Sequence, residues 1–391
     1  MKYEVNIAEL ADHFVIVLKD KETRQVKKAF TLNHLGTDIL RAYMADKPQD
    51  ELAPELAERY KASLESMQQQ VSRFYTDLAS RMKLVIVAIL MAVTMQSWAQ
   101  KFTFMPQWTA QAQFAGYYVA KEKGFYREAG LDVDIIHPSV SLKAIDRIQR
   151  NMANATTFQL AEAIELVAQG IPLVNILQTS MNNAMVIVSR RGVDPLTQKG
   201  ARVGTWNAGF GQLALCMSMK EGLDYEWVKF ASNVNLFVTG ALDATMAMSY
   251  NEYNQLLQTG MTLNEKNVYR FCEHGYNVQE DGVYMTKAYY EQHRDQARRF
   301  AEASKKGWLW AVDHPDETLD IVMDYVKRDK VATNRIMQKM MLREVLRLQV
   351  DRESGKREFR LRPDMVKRAS YLMKEFKMID KEVTYEELLA R

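Results

Sequence analysis

The sequence predicts an α/β fold for most of the chain, preceded by a small α+β domain with a winged-helix-like arrangement. After residue 100, strand-type and helix-type segments alternate, and a strand, a helix and a strand within about 35 residues form a βαβ unit with parallel strands. Residues 1–81 instead show three short strand-type segments followed by three helical patterns. An apolar run within residues 82–99 separates the two parts.

The first part, residues 1–81, combines β-branched or aromatic segments with amphipathic ones. The three predicted strands are Tyr3–Val5, Phe14–Leu18 and Val26–Thr31, the last two joined by a polar turn. Asn33 is a suitable N-cap for the first helix, a second helix follows Asp50, and a third is predicted from about Ser63 to Met82.

The apolar run over residues 84–95 has the features of a secretory signal peptide. Arg81 and Lys83 precede it, and the small residues Ser97 and Ala99 follow it at the positions that a signal peptidase prefers. The run is short for a membrane span, which needs about 20 apolar residues. A membrane anchor and a buried core helix remain alternatives, and Met82 is an alternative start of translation.

The composition argues against several functions. The net charge of +3 is nearly balanced and has no basic block, so no nucleic-acid partner is expected. Cys216 and Cys272 are far apart, and the six histidines show no HExxH spacing. We therefore expect neither a metal site nor a cofactor.

The second part, residues 100–391, continues the βαβ pattern. Its first predicted elements are a strand at 102–108, a helix at Gln113–Lys123, a strand at Leu131–Ile136, a helix at Ser141–Asn151, a strand at Thr156–Phe158, a helix at Leu160–Gln169, and strands at Leu173–Gln178 and Arg202–Trp206. Ligands of open α/β sheets bind at the carboxyl ends of strands. This places Trp108, Trp206 and the segment after Met248 at a predicted pocket.

Two segments near that pocket have competing interpretations. The Gly-rich run 204–211 fits a tight strand-to-helix turn better than a phosphate cradle, because it lacks both GxGxxG and a P-loop lysine. In Tyr250-Asn-Glu-Tyr253, the carboxylate of Glu252 between two tyrosines could accept hydrogen bonds from an amino-substituted ring. The same residues also suit an exposed helix start.

Several blocks in order resemble the thiamine-pyrimidine-precursor and sulfonate binding proteins of ABC importers. The blocks are 108–120, 123–126, 130–133, 250–253, 280–284 and 303–315. The resemblance implies a type II periplasmic-binding-protein fold, with two α/β lobes closing over a small ligand. We expect crossovers near Ile187–Ser189 and Tyr284–Thr286, lobe one at 100–187 and 286–391, and lobe two at 190–284.

The resemblance also implies a ligand and a set of binding residues. Trp, Tyr and Glu at the matching positions suit an amino-bearing pyrimidine rather than an anionic sulfonate. The implied residues are Trp108 and Tyr117 as stacking walls, Glu252 as acceptor of the ring amino group, and Trp206, Asn207 and Tyr250 in support. The implied partner is an ABC permease, and the implied location is the periplasm.

Fungal pyrimidine (HMP-phosphate) synthases share this fold but carry a cysteine cluster just before the segment that matches 282–285. Tyr276–Asp281 has no cysteine, and no acid–base pair or activated nucleophile is recognisable, so we expect a binding protein and not an enzyme.

Residues 1–81 resemble the PqqD-like peptide chaperone of the pyrroloquinoline quinone pathway. Leu32, Asn33 and Gly36 match its turn into a helix, and 56–60 matches its second helix. The resemblance implies binding of a ribosomal peptide by β-augmentation; a domain without a peptide partner is the alternative. If the chain is made as written, this domain is cytoplasmic, and a membrane-tethered sensor is a competing function for the whole chain.

Overall fold

The computed structural model describes residues 3–10, 13–20, 26–44, 47–76, 100–138, 144–190, 194–206, 210–230 and 233–390. They fall into two compact units, Met1–Ser97 and Trp98–Arg391. In these ranges no helix is both long enough and apolar enough to cross a bilayer. The apolar run 84–95 lies outside the described residues, so the signal-peptide interpretation stays a prediction.

The first unit begins with a three-stranded antiparallel sheet in the order β1-β2-β3 and continues with helices. Its elements are β1 Tyr3–Leu10, β2 His13–Asp20, β3 Val26–Leu32, α1 His34–Met44, α2 Gln49–Arg59 and helical residues 64–76, α3. Asn33 caps α1, since its Oδ1 accepts a 2.8 Å hydrogen bond from the Gly36 N–H. Leu56 and Val71 are buried in the small core between the helices. The predicted order of three strands and three helices is confirmed over the described residues.

The second unit contains two five-stranded sheets. The first has the order β5-β4-β6-β13-β7, and the second the order β10-β9-β11-β8-β12. The strands are β4 Gln100–Met105, β5 Leu131–Ile135, β6 Ala155–Phe158, β7 Leu173–Gln178, β8 Met185–Ser189, β9 Arg202–Trp206, β10 Glu226–Phe230, β11 Ala244–Met248, β12 Val268–Arg270 and β13 Gly282–Thr286. Each sheet is mixed, because β13 runs antiparallel to β6 and β7, and β8 runs antiparallel to β11 and β12.

The chain crosses between the sheets earlier than expected. Since β8 already belongs to the second sheet and β13 already belongs to the first, the crossings lie at 179–184 and 271–281. The predicted positions, Ile187–Ser189 and Tyr284–Thr286, lie inside these two strands. Both strands are apolar and buried, so their sequences do not reveal which sheet they join. Lobe one is therefore built on 100–178 and 282–390, and lobe two on 185–270.

Helices cover both sheets and continue into a long C-terminal segment of lobe one. They are α4 Ala115–Glu122, α5 Phe125–Glu128, α6 Ala144–Gln149, α7 Leu160–Ala168, α8 Gln212–Lys220, α9 Asn235–Val238, α10 Glu252–Gln258, α11 Lys287–Gln292, α12 Arg294–Asp313, α13 Pro315–Arg328, α14 Arg335–Leu348, α15 Pro363–Glu375 and α16 Tyr385–Leu388. In lobe one the Phe102 ring stacks on Phe300 of α12 at 4.4 Å, which fixes α12 against the sheet.

The segment around the end of α14 is hydrogen-bonded to both crossovers. Asn182, in the first crossover, donates from Nδ2 to the carbonyls of Leu348 and Val350. Gln279, in the second, donates to the carbonyl of Arg360 at 2.9 Å. The C-terminal segment therefore lies against both crossovers at the junction of the lobes, and it contributes side chains to the space between them.

Candidate ligand site between the lobes

Two adjacent acidic side chains lie at the end of the second crossover. Glu280 is 3% exposed and Asp281 is 8% exposed. The Asp281 carboxylate accepts a 3.0 Å hydrogen bond from Gln107 Nε2 and a 2.6 Å bond from Gln113 Nε2. These two glutamines belong to the loop that follows β4, so Asp281 joins the carboxyl end of that strand to the crossover.

Side chains from four chain segments surround this pair. The lining residues are Gln113, Thr179, Ser180, Tyr250, Glu280, Asp281, Val345, Leu348 and Gln349. The space that the centre of a water molecule can occupy among them is about 10 Å³, which is room for one water molecule. The lobes are thus closed on each other at this point, and a ring could enter only after they separate.

Several polar atoms in this cleft are buried without a hydrogen-bond partner. Glu280 Oε1 is one, and both Oε1 and Nε2 of Gln349, a residue only 2% exposed, are others. A buried polar group without a partner costs about 1–3 kcal/mol. Three such atoms in one cleft are unusual in a native interior, and they mark positions where an additional polar group would be stabilised.

The electrostatics of the cleft follow from burial. Burial, and to a smaller extent the neighbouring charge of Asp281, raise the pKa of Glu280 well above its ordinary value. Hydrogen bonds from the backbone N–H groups of Ala184 and Met185 act in the opposite direction and only partly offset this rise. Burial also raises the pKa of Asp281 to about 6, against the hydrogen bonds from Gln113 and Gln107. None of the described residues that line the cleft is a lysine or an arginine. The cleft therefore favours ligand groups that donate hydrogen bonds or carry positive charge.

Three aromatic rings span the lobes beside the loop that holds Gln107. Trp108 of lobe one meets Phe210 of lobe two edge to face at 5.8 Å, and Phe210 in turn meets Trp206 at 6.3 Å. Trp108 is half-buried, whereas Trp206 is 4% exposed. This aromatic trio, Trp108, Phe210 and Trp206, supplies faces and edges on which a planar heterocycle could stack.

The backbone at Trp108 is held by a histidine. His137 Nδ1 donates a 2.6 Å hydrogen bond to the Trp108 carbonyl, and its Nε2 accepts a 2.7 Å bond from the Tyr118 hydroxyl. Accepting at Nε2 requires the neutral imidazole. Burial lowers the pKa of His137 to about 4, so the ring is neutral at physiological pH.

Glu252 lies at the start of α10, where its carboxylate is fully enclosed. It accepts hydrogen bonds from Trp206 Nε1 at 3.0 Å, from the Met248 N–H at 3.0 Å and from Asn251 Nδ2 at 3.2 Å. Burial raises the pKa of this carboxyl, partly offset by the Met248 and Trp206 bonds. Glu252 thus joins the end of β9 to α10 and fixes the Trp206 ring.

The remaining predicted residues have different positions. Tyr250 is 5% exposed and lines the cleft. Tyr117 is 1% exposed, with its ring against Phe104 and Trp308 inside lobe one; the ring is part of the core, in contrast to the stacking wall that was expected. Its hydroxyl is buried without a hydrogen-bond partner among the described residues. Asn207 lies outside the described residues.

The sequence interpretation missed Glu280, Asp281 and Gln349 as site residues. A signal was present for the first two, since an acidic pair stands immediately before a Gly-led apolar strand in one of the blocks of resemblance. Gln349 had no such signal, because a polar residue after an amphipathic helix is ordinary.

A wider groove lies on the surface of α3, in the first unit. Its volume is about 540 Å³, and it is lined by Gln68, Gln69, Ser72, Arg73 and Thr76. All five residues belong to one helical stretch, and all five are exposed. Because the groove brings together no buried polar group, the cleft between the lobes is the better candidate for a ligand site.

Two α/β lobes joined by crossovers, with buried polar groups between them, define the periplasmic-binding-protein fold. The family model described as NMT1/THI5 like matches residues 111–318, more than half of the chain. The chain belongs to this family.

Curated relatives are binding proteins or are connected with thiamine. The formylaminopyrimidine-binding protein of Halalkalibacterium halodurans is 27% identical over 233 residues, which cover 56% of this chain and 68% of that protein. A putative thiamine biosynthesis protein of Haemophilus influenzae is 31% identical over 180 residues, covering 42% of this chain and 55% of that protein.

Solved structures support the fold. The periplasmic aliphatic sulphonate binding protein SsuA of Escherichia coli superposes with a TM-score of 0.54 at 12% identity, covering 74% of this chain and 97% of its own. The predicted type II periplasmic-binding-protein fold is therefore confirmed. The family match begins at residue 111, so the PqqD-like resemblance of residues 1–81, its peptide partner and its cytoplasmic location stay predictions.

Proposed function

We propose that the chain is an extracytoplasmic solute-binding protein of an ABC importer that captures a thiamine pyrimidine precursor of the aminopyrimidine type. The observation that carries the proposal is the cleft between the lobes, where buried carboxyl and amide groups lie without partners. The family and the formylaminopyrimidine-binding relative support this ligand class.

The charge of the cleft favours an amino-bearing ring over an anion. Glu280 and Asp281 line it, and no lysine or arginine is among its described lining residues. A sulfonate would be repelled by these carboxyl groups, whereas ring nitrogens and amino groups can donate to them. The shared fold with a sulphonate-binding protein therefore does not extend, in this proposal, to a shared ligand.

Each predicted residue has a role in the proposal. Trp108 stacks on the ring, and Tyr250 closes over its edge from lobe two. Glu252 fixes Trp206 and accepts a hydrogen bond from the ring amino group with a remaining lone pair, since a carboxylate has about four acceptor positions. Asn207, which lies outside the described residues, is proposed as a ligand contact next to Trp206 in sequence, and Tyr117 supports the site from the core of lobe one.

The proposed protein binds its ligand without converting it, and its partner is an ABC permease. A pyrimidine synthase of this fold and a membrane-tethered sensor are the competing functions. Recovering the bound ligand chemically unchanged distinguishes a binder from a synthase. Co-purification with a ribosomal peptide distinguishes a sensor or adaptor from an importer component.

The first test is calorimetric titration of the full chain with a formylaminopyrimidine, thiamine and an alkanesulfonate. We expect the pyrimidine to bind and the sulfonate not to bind. Trp108→Ala should weaken pyrimidine binding about tenfold or more, because stacking of a base-like ring on an aromatic side chain contributes about 1–3 kcal/mol.

Tyr371→Ala is the matched control, since Tyr371 is an aromatic residue on α15 that is 54% exposed. It should leave the affinity unchanged. Sulfonate binding in place of pyrimidine binding, or equal losses in the two variants, would refute the ligand assignment.

A further inference from the structure

The acidic pair at the second crossover has no cationic partner among the described residues. The hydrogen-bond donors to the Asp281 side chain are the neutral amides of Gln107 and Gln113. Glu280 is approached by the backbone N–H groups of Ala184 and Met185, and its Oε1 has no partner. Two buried neighbouring carboxyl groups without a counter-charge are strongly destabilised in the ionised form.

An independent observation marks the same place as a ligand position. Gln349 comes from the C-terminal segment, far from Glu280 in sequence, and lines the same cavity. It is 2% exposed, and neither its Oε1 nor its Nε2 has a hydrogen-bond partner. Glu280 Oε1 and Gln349 Oε1 are thus two unused acceptors beside one small space.

We propose that Glu280, Asp281 and Gln349 form a subsite that binds a protonated amine carried as a substituent on the captured ring. The proposal rests on the proposed function and narrows its ligand class to heterocycles with an aminoalkyl arm. The ammonium group donates to Glu280 Oε1 and Gln349 Oε1, and it supplies the positive charge that the two carboxyl groups lack.

The size of the cavity fits this assignment. Its space of about 10 Å³ for the centre of a water molecule suits a group the size of an ammonium and excludes a ring. The ring is then held beside the aromatic trio, while the arm reaches the crossover. Acylation of the amine would remove the charge and enlarge the group, so the acylated form should bind less well.

The test compares two ligands on the full chain by calorimetric titration at pH 7.5. One is an aminopyrimidine with a primary aminomethyl arm, and the other is the same molecule with that amine formylated. We expect the amine to bind more tightly. Glu280→Gln should weaken binding of the amine about thirtyfold or more, because one partner of a buried charge pair is neutralised. The same variant should change binding of the formylated compound less than about threefold, because that contact carries no charge.

A second measurement needs no ligand. Glu280→Gln should raise the melting temperature of the free protein at pH 7.5, because a neutral amide replaces a buried carboxyl group whose ionised form has no counter-charge. Glu273→Gln is the control: Glu273 lies in the same crossover, is exposed and faces Arg352 at 3.7 Å, so it should change neither the melting temperature nor the two ligand affinities.

The outcomes separate this subsite from the function on which it rests. If the wild type binds neither pyrimidine, the proposed function fails. If it binds the formylated compound as tightly as the amine, or if Glu280→Gln weakens both compounds equally, the pyrimidine function stands and the amine subsite is refuted. A lowered melting temperature of Glu280→Gln would also refute it, because the carboxylate would then be structural.

Discussion

The His137 imidazole lies between a backbone carbonyl and a tyrosine hydroxyl, and accepting the bond from the hydroxyl at Nε2 requires its neutral form. Its partners are the Trp108 carbonyl at 2.6 Å and the Tyr118 hydroxyl at 2.7 Å. Burial lowers its pKa from 6.5 to about 4. Between these two values the unfolded chain binds more protons than the native protein, so stability is present above pH 6.5 and is lost as the pH falls toward 4.

The lowered pKa predicts that His137 alone causes a measurable loss of stability at acidic pH. The free energy of unfolding of the wild type relative to His137→Gln should fall by about 1 to 2 kcal/mol between pH 7.5 and pH 5. Urea unfolding of both proteins at the two pH values measures this difference. Asp281 acts in the opposite direction, because its pKa is raised to about 6, and comparison with the variant cancels its contribution.

A parallel pair of curves for the wild type and His137→Gln would contradict the assignment of this pH dependence. His314→Gln is the control, since His314 is exposed and stacks on Trp310 at the protein surface. Its unfolding free energy should keep the pH dependence of the wild type.

At the scale of elements, the contact between α4 and α12 depends on two glycines. A Cβ on Gly307 would lie 2.8 Å from the Ala120 Cβ and would also overlap the Gly116 carbonyl. A Cβ on Gly116 would overlap the Trp308 indole. The two helices therefore approach as closely as their backbones permit, and α4 follows directly from the loop that holds Gln113.

Gly307→Ala should destabilise the protein by about 3 kcal/mol or more, because overpacking of a rigid contact moves backbone atoms. Thermal unfolding of the full chain measures the effect. Asp313→Ala, at the exposed end of the same helix, should change stability by less than about 0.5 kcal/mol. Equal melting temperatures for Gly307→Ala and the wild type would show that the helices can separate without cost.

At the scale of the whole second unit, polar bonds across the cleft hold the lobes closed. Ser249 of lobe two donates to Glu344 of α14 at 2.7 Å, and Gln212 of α8 donates to Glu165 of α7 at 2.7 Å. Both bonds join one lobe to the other and stabilise the closed state. Because the closed state is the one that binds the ligand, the apparent affinity increases with the fraction of the protein that is closed.

Ser249→Ala should therefore weaken ligand binding without any contact to the ligand. A hydrogen bond to a charged group contributes about 1.5–3 kcal/mol, so we expect the affinity to fall by up to about ten- to a hundredfold, the limit reached when the closed state is no longer the dominant one. Small-angle scattering of the ligand-free protein should show a larger radius of gyration. Thr239→Ala is the control in the same lobe, since that hydroxyl bonds to the carbonyls of Asn235 and Leu236. If Ser249→Ala changed neither the radius of gyration nor the affinity, the bond from Ser249 to Glu344 would not be what holds the lobes closed.

Local patterns in the sequence predicted many of the elements. Alternation of apolar residues and caps such as Asn33 are local signals, and they predicted the described strands and helices of the first unit and most of those in residues 100–206, though not β8. Because the carboxyl ends of parallel strands share one edge of a sheet, the sequence also predicts that Trp108 and Trp206 border a pocket. Both rings contact Phe210, and their contact with a ligand stays a prediction.

The lobe that each strand joins, and the polar groups that meet, depend on tertiary packing. β8 and β13 are apolar strands whose sheet depends on where the chain crosses, a property that no local pattern contains. Glu280, Tyr250 and Gln349 come together from a crossover, a strand end and a C-terminal segment. Their convergence depends on long-range packing, as does the bond that Trp206 donates to Glu252, through which the proposed acceptor of the ring amino group also supports the wall of the site.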